Sequence, residues 1–172
     1  MKTYFRVDRV NKYQVGSDIH LFPPSRIPSD FMGIAEKMSP KGYSSHGQNY
    51  FLNAVPATDV SSSIELSLEL FRRSFYSHLP SRYSSVFACE KLEDAEKFRS
   101  SIIQNFPSSG IYEIECDPSL VHRGDMRLLN NLTSTLVYAE RLDLYWRGET
   151  VNPEPFWEIL IPLPARVTKR LN

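Results

Sequence analysis

An α+β fold with mostly antiparallel, mixed sheets is predicted by three observations. Segments 4–10 and 111–116 alternate apolar and polar side chains with the period of a strand, and 156–161 is a short apolar run of strand composition closed by Pro162 and Pro164. Segments 59–79 and 92–106 repeat apolar residues at helical steps. The order of elements is strands, a long loop, helices, then strands again, without the βα alternation of a doubly wound parallel sheet. With 172 residues, 41% of them hydrophobic, the chain has the size of one domain, 1–172, with one sizeable core.

The first strand, 4–10, reads Y-F-R-V-D-R-V, with Phe5 and Val7 on one face and Tyr4, Arg6 and Asp8 on the other. Asp8 stands where it can pair weakly with Arg6. A turn at 11–16 leads to a second short strand, 19–22, ended by Pro23, Pro24 and Pro28. Segment 25–59 is a long loop insertion, rich in proline, glycine and serine, with one short helix expected over 31–38. Its aromatics Phe31, Tyr43, Tyr50 and Phe51 either line a site or anchor the loop to the core.

Helix caps at 59–63 precede Ile64, Leu68, Phe71, Phe75 and Leu79, the clearest helical stripe, which Pro80 ends. Segment 84–89 has strand composition. A helix over 92–106 follows, with Ala95, Phe98, Ile102 and Phe106 on one face and Glu93, Asp94 and Glu96 near its positive end. In strand 111–116, Tyr112, Ile114 and Cys116 are expected inward. Segment 121–131 reads as a short strand with a turn at Arg123, Gly124 and Asp125. Segment 136–146 suits one long bent strand or a helix, and its alternating charges and β-prone ends favour strands. In strand 156–161, F-W-E-I-L-I, Glu158 is the single charge in an apolar run, so it must be solvated, paired or used. A basic tail, 168–172, is expected to fray.

Twenty basic and twenty acidic side chains cancel, so no overall field draws the chain to nucleic acid or an anionic membrane. Binding to nucleic acid through Arg72, Arg73, Lys169 and Arg170 is correspondingly the weakest functional reading. Cys89 and Cys116 lack disulfide or metal spacing and are expected to pack as small apolar residues in a reducing compartment. The first residues carry no apolar signal core and no run is long enough to span a membrane, so a cytoplasmic chain is expected, with delivery by a signal-less route as the exported alternative. No G-x-G-x-x-G, G-K-S/T, H-E-x-x-H, C-x-x-C or G-x-S-x-G motif occurs. His20, His46, His78 and His122 are scattered and read as surface or cap residues, and no metal is expected.

Three features survive: Arg6 on the first strand, Ser84 and Ser85 opening a strand that feeds an acid-capped helix, and Glu158 on a late strand. Their order resembles the Arg, Ser, Glu motif series of the ADP-ribosyltransferase superfamily. Y-F-R-V-D-R-V-N-K-Y-Q-V-G resembles the opening segment of bacterial rifampin ADP-ribosyltransferases, which carry histidine where Arg6 stands. S-V-F-A-C-E-K-L-E-D-A-E-K-F and I-Y-E-I-E-C-D-P-S-L are similar to the motifs that follow it. A closer likeness is to a related group of uncharacterised bacterial proteins with "Y-F/H-V-D-R … S-V-F-A … Y-W-x-G-E … W-E". The similarity covers most of the chain except 25–59.

The resemblance implies a split arrangement of sheets flanked by helices and NAD as a substrate. It implies transfer of ADP-ribose to an acceptor protein, nucleic acid or small molecule, in a toxin, effector or defence enzyme with a possible antitoxin or immunity partner. Glu158 would hold a ribose hydroxyl as positive charge develops on the ribose. Arg6 would contact the adenosine-side ribose or a diphosphate oxygen. Ser84 or Ser85 would orient Glu158 at the nicotinamide ribose, Tyr83 or Phe87 would stack on nicotinamide, and Arg82 is a second phosphate candidate. Arginine-modifying members carry a second Glu two residues before the catalytic one. Phe156 stands there instead, which points away from an arginine acceptor, with Glu154 as the nearby substitute. NAD glycohydrolysis at the same site, and a non-catalytic interaction module using 25–59, are the alternatives.

Overall fold

A computed structural model of the protein describes residues 1–24, 27–55 and 58–171. Ser25 and Arg26 at the start of the predicted insertion, Pro56 and Ala57 near its end, and Asn172 in the predicted tail lie outside the described residues. The fold is α+β with two sheets, and every pairing in them is antiparallel. One sheet has the order β1 (Lys2–Asp8), β4 (Gly110–Cys116), β7 (Ala165–Arg170), β2 (Asp18–Ile19); the other has β3 (Ser85–Ala88), β6 (Trp157–Pro162), β5 (His122–Asp125). They touch where Phe5 and Cys89 exchange backbone hydrogen bonds of 2.9 and 2.8 Å.

The sheets also pack face to face. Tyr4 and Ile114 from one and Val86, Ala88, Ile159 and Ile161 from the other form the core between them. The opposite face of the three-stranded sheet, through Leu160, meets α3 (Val60–Phe75) and α5 (Thr135–Arg147) by way of Leu68, Leu142, Tyr145 and Trp146. The outer face of β1 and β4, through Val7 and Ile111, is covered by α4 (Leu92–Ile102) with Ala95 and Phe98. Strands buried on both sides cannot show a simple in-and-out pattern. That is why Tyr4 and Val7, of opposite parity on β1, and both Tyr112 and Ile111 on β4 are all buried.

Several sequence expectations are corrected. Segment 136–146 is helical, within α5, because Ser134 caps the start by accepting the Val137 N–H and Gly148 adopts the left-handed conformation that closes the end. Aromatic and β-branched content is a weaker signal than caps at both ends. The described part of the basic tail, 168–171, is not frayed: Thr168, Lys169 and Arg170 belong to β7, which lies between β4 and β2, and the Leu171 amide donates to the Ile111 carbonyl at 2.9 Å. β5 runs straight through Arg123 and Gly124 rather than turning there. The second strand is only Asp18–Ile19, with Phe22 forming a separate bridge to Tyr43. The insertion contains α1 (Met32–Met38), as expected, and also a helical turn α2 (Ser45–Gly47) running into a π-helical segment, Gln48–Leu52. Tyr43 and Phe51 stack against each other, and Phe51 stacks on Tyr83 while Tyr43 meets it at a tilt, so these two anchor the loop.

On α3 the apolar stripe is only partly right. Leu68 is buried, but Phe75 is 67% exposed and Leu79 lies beyond the helix. Glu65, Glu69 and Arg72, spaced four and three residues apart, take the inward face instead. No described helix is long and apolar enough to cross a membrane.

Candidate functional site

A cavity of about 710 Å³ opens where the end of β1, β3, β6, the start of α3 and the α2 turn meet. Its walls carry both Arg6 and Glu158, the arginine and the late glutamate singled out by sequence. Alternation on β6 sends Ile159 and Ile161 into the core between the sheets, which leaves Glu158 and Leu160 on the helix-facing side. Glu158 is only 5% exposed.

Burial of a carboxylate requires partners, and a charged network supplies them. Arg82 donates to Glu158 Oε1, and Tyr145 donates its hydroxyl proton to the same oxygen at 2.8 Å. Arg82 also donates from Nε and Nη2 to both oxygens of Glu65, each at 2.7 Å, a bidentate pair. Among the described residues no hydrogen bond is drawn to Glu158 Oε2, so the two donors that fix the carboxylate leave that oxygen free. Burial would lower the Arg82 pKa, but Glu158 and Glu65 outweigh it and hold it well above its ordinary value. Burial would likewise raise Glu65, yet the Arg82 guanidinium and the His46 ring hold it well below the usual carboxylate range. Burial, opposed by Arg82 and aided by Glu158, pushes the Tyr145 phenol well up, so Tyr145 stays a donor.

Gly124 gives Tyr145 room to reach the carboxylate. It sits opposite Glu158 in the β5–β6 register, and a methyl group there would overlap the Tyr145 ring. His46 borders the cavity between Tyr50 and Phe87, with ring centroids 4.5 Å from each. Its Nε2 lies 3.1 Å from Glu65 Oε2 without hydrogen-bond alignment. Phe87 lines the cavity as well, and its ring carries Arg82 at 4.6 Å.

Other sequence candidates fall elsewhere. Arg82 lines the cavity, is 3% exposed, and directs its hydrogen bonds to Glu65, Glu158 and Tyr145. Tyr83, Ser84 and Ser85 are not brought to the cavity. The 3-10 turn Arg82–Ser84 directs Tyr83 into the insertion's core, and the Ser84 and Ser85 hydroxyls donate back to the Ser81 carbonyl at 3.5 and 2.7 Å. Hydroxyls that close a turn are satisfied locally. Glu154 extends into solvent and lies 3.7 Å from Arg127. Arg6 donates to the Phe87 carbonyl at 2.9 Å, while Asp8 accepts from the Val10 and Lys12 amides at 3.3 and 2.6 Å rather than pairing with Arg6.

Two histidines depart from the surface expectation. His46 is half-buried, and His122 is buried with Nε2 2.9 Å from the Tyr145 carbonyl. Cys89 and Cys116 are free, and burial, with Asp94 and Glu158 adding, pushes the Cys89 thiol up to about 12, so it lines the cavity as an unreactive group. Among the described residues no group of three or more His, Cys, Asp or Glu is placed to hold a metal ion.

Sequence reasoning missed Glu65, Tyr145 and His46. Glu65, Glu69 and Arg72 recur at helical spacing beside Leu68, the pattern a solvated helix face also gives, so the sequence carried no separate signal for Glu65. Tyr145 was hidden by reading its segment as a strand.

No curated protein matches the chain. A family profile does, over residues 4–172, nearly the whole length, and its description is "Protein of unknown function (DUF2441)". On that coverage the chain belongs to the DUF2441 family.

Proposed function

We propose that the protein is an NAD-dependent ADP-ribosyltransferase whose reaction takes place in the cavity between Arg6 and Glu158. The observation that carries this reading is their convergence: residues 152 positions apart in the chain line one cavity of dinucleotide scale. Two abutting antiparallel sheets are in keeping with the split arrangement that the sequence resemblance implies.

In the proposed reaction the bond between the nicotinamide nitrogen and ribose C1′ breaks, and its electron pair leaves with nicotinamide, which departs neutral. Positive charge then develops on the ribose. Glu158, fixed through Oε1 by Arg82 and Tyr145, offers Oε2 to a ribose hydroxyl, a contact that strengthens as that charge grows. A lone pair on the acceptor forms the new bond to C1′, and the acceptor's proton goes to solvent. Phe87 and the half-buried Tyr50 offer aromatic faces for a planar ring. Phe156 occupies the position two before Glu158 and packs beside Phe98, with ring centroids 6.0 Å apart, which leaves an arginine acceptor without a matching carboxylate.

Incubation with NAD tests the reading. The wild type is expected to release nicotinamide and label an acceptor, and Glu158→Gln is expected to lower release by at least about a hundredfold. Release of free ADP-ribose with no labelled acceptor would make the protein an NAD glycohydrolase. Equal release by the wild type and Glu158→Gln would remove Glu158 from the mechanism.

A further inference from the structure

The α2 turn brings to the cavity a histidine that the ribose contact does not use. Ser44 ties this turn to the Tyr83 carbonyl through its amide at 2.8 Å and its hydroxyl at 3.1 Å, and the hydroxyl oxygen accepts the Gly47 amide at 3.3 Å. His46 is thereby held at the cavity wall, with Tyr50 and Phe87 against its ring. Phe87 also carries Arg82, so the histidine and the guanidinium that grips Glu158 pack on one aromatic ring.

The two nitrogens of this ring have different surroundings. Nε2 is buried, and 3.1 Å from it lies Glu65 Oε2, an oxygen that also accepts the Arg82 Nε proton at 2.7 Å. A carboxylate only accepts, so in the neutral ring Nε2 carries the proton and Nδ1 keeps the lone pair. The Nε2 contact is out of line, and catalytic contacts of this kind tighten when substrate is bound. Among the described residues no hydrogen bond is drawn to Nδ1, and it is not sealed off as Nε2 is. An imidazole backed by a carboxylate, with its other nitrogen free at a cavity, is built as a general base.

The rest of the wall offers no rival for that task. Glu65 and Glu158 are held by Arg82, and Asp8 accepts the Val10 and Lys12 amides. Burial keeps the Cys89 thiol protonated. The position two before Glu158, where a second carboxylate could stand, is Phe156.

We infer that His46, oriented by Glu65, is the general base that takes the acceptor's proton. The inference rests on the proposed function and adds a catalytic residue to it. As the bond from ribose C1′ to nicotinamide breaks, with its electron pair leaving on nicotinamide, a lone pair of the acceptor forms the new bond to C1′. The acceptor's proton passes to the Nδ1 lone pair, and the electrons that held it stay on the acceptor atom. The imidazolium so formed faces the Glu65 carboxylate and then gives its proton to solvent, which restores the base. The step is the same whether the acceptor is water or a larger molecule.

Two measurements test this. In the first, nicotinamide release from NAD is followed with cell lysate as the source of acceptor. His46→Gln is expected to lower turnover at least about a hundredfold with KM for NAD unchanged. Wild-type turnover in His46→Gln, with Glu158→Gln inactive, would overturn the inference and keep the transferase. A raised KM at unchanged turnover would make His46 a binding group and overturn it too. No release by the wild type would remove the transferase and this step with it. The second measurement needs no substrate. Nitrogen NMR at mildly alkaline pH, with the His46 signal identified by its loss in His46→Gln, is expected to show a ring protonated at Nε2, and Glu65→Gln is expected to raise the share protonated at Nδ1. A wild-type ring protonated at Nδ1, or a share unchanged in Glu65→Gln, would overturn the inference even where NAD is cleaved.

Discussion

Arg82 shows how far the role of one side chain depends on partners that the sequence does not name. An arginine near a strand start suggests phosphate binding, but here its four hydrogen bonds go to Glu65, Glu158 and Tyr145. Sequence shows neither burial nor partner, and both decide what a guanidinium does. Glu158 was legible because a lone charge within an apolar run must be explained. Glu65 was not, because a helix surface normally carries glutamates. Replacing Glu65 by Gln keeps the shape and removes half of the counter-charge around Arg82. We expect Glu65→Gln to lower stability by about 2 to 3 kcal/mol, less than full loss of a buried pair because Glu158 remains. Urea unfolding reads this directly, and an unchanged midpoint would mean that the pair contributes nothing to folding.

Among the elements, strands were easier to place than to bound, and helix α5 was misread. β1, β4 and β6 were found by composition, although burial on both faces blurred which side chains point where. Helix α5 carries Val137, Tyr138, Tyr145 and Trp146, residues common in strands, and its identity rests on Ser134 and Gly148 at its ends. The Ser134 hydroxyl accepts the Val137 amide at 3.4 Å, a long bond at an exposed terminus. We therefore expect Ser134→Ala to destabilise by about 0.5 to 1 kcal/mol, the lower part of the range for such caps. Thermal unfolding followed by far-ultraviolet circular dichroism checks it, and a larger loss would show that the cap also positions Tyr145.

For the whole molecule, the acid limb of stability should report His122. Burial, only partly offset by the hydrogen bond to the Tyr145 carbonyl, lowers its pKa from 6.5 to about 4. Unfolded chains then bind a proton that the folded protein does not, so stability falls as pH drops from about 6.5 toward 4 and is unaffected above that window. The full effect is about 3 kcal/mol. Glu65 works at lower pH: its depressed pKa gives stability that is present above about 4.5 and lost below it. His122→Gln should flatten the slope between pH 6.5 and 4.5, as measured by urea midpoints at each pH. An identical slope would assign the acid sensitivity to other groups. At this scale the α+β class was legible from two alternating strands, one short apolar run and two helical stripes. The division into two sheets was not, because the crossings at 117–121 and 163–164 depend on which core each strand faces.

The insertion bears on all of this through one seam. The Ser44 amide donates to the Tyr83 carbonyl at 2.8 Å, and Gly47 lies so close to that carbonyl that a methyl group would not fit between them. Tyr83 is the neighbour of Arg82 along the chain, and Arg82 grips Glu158. We expect a displacement of residues 43–47, whether by a bound protein or by thermal opening, to reach the carboxylate through Tyr83 and Arg82. A segment that reads as a surface excursion is thus joined, through Tyr83 and Arg82, to a buried acid of the cavity.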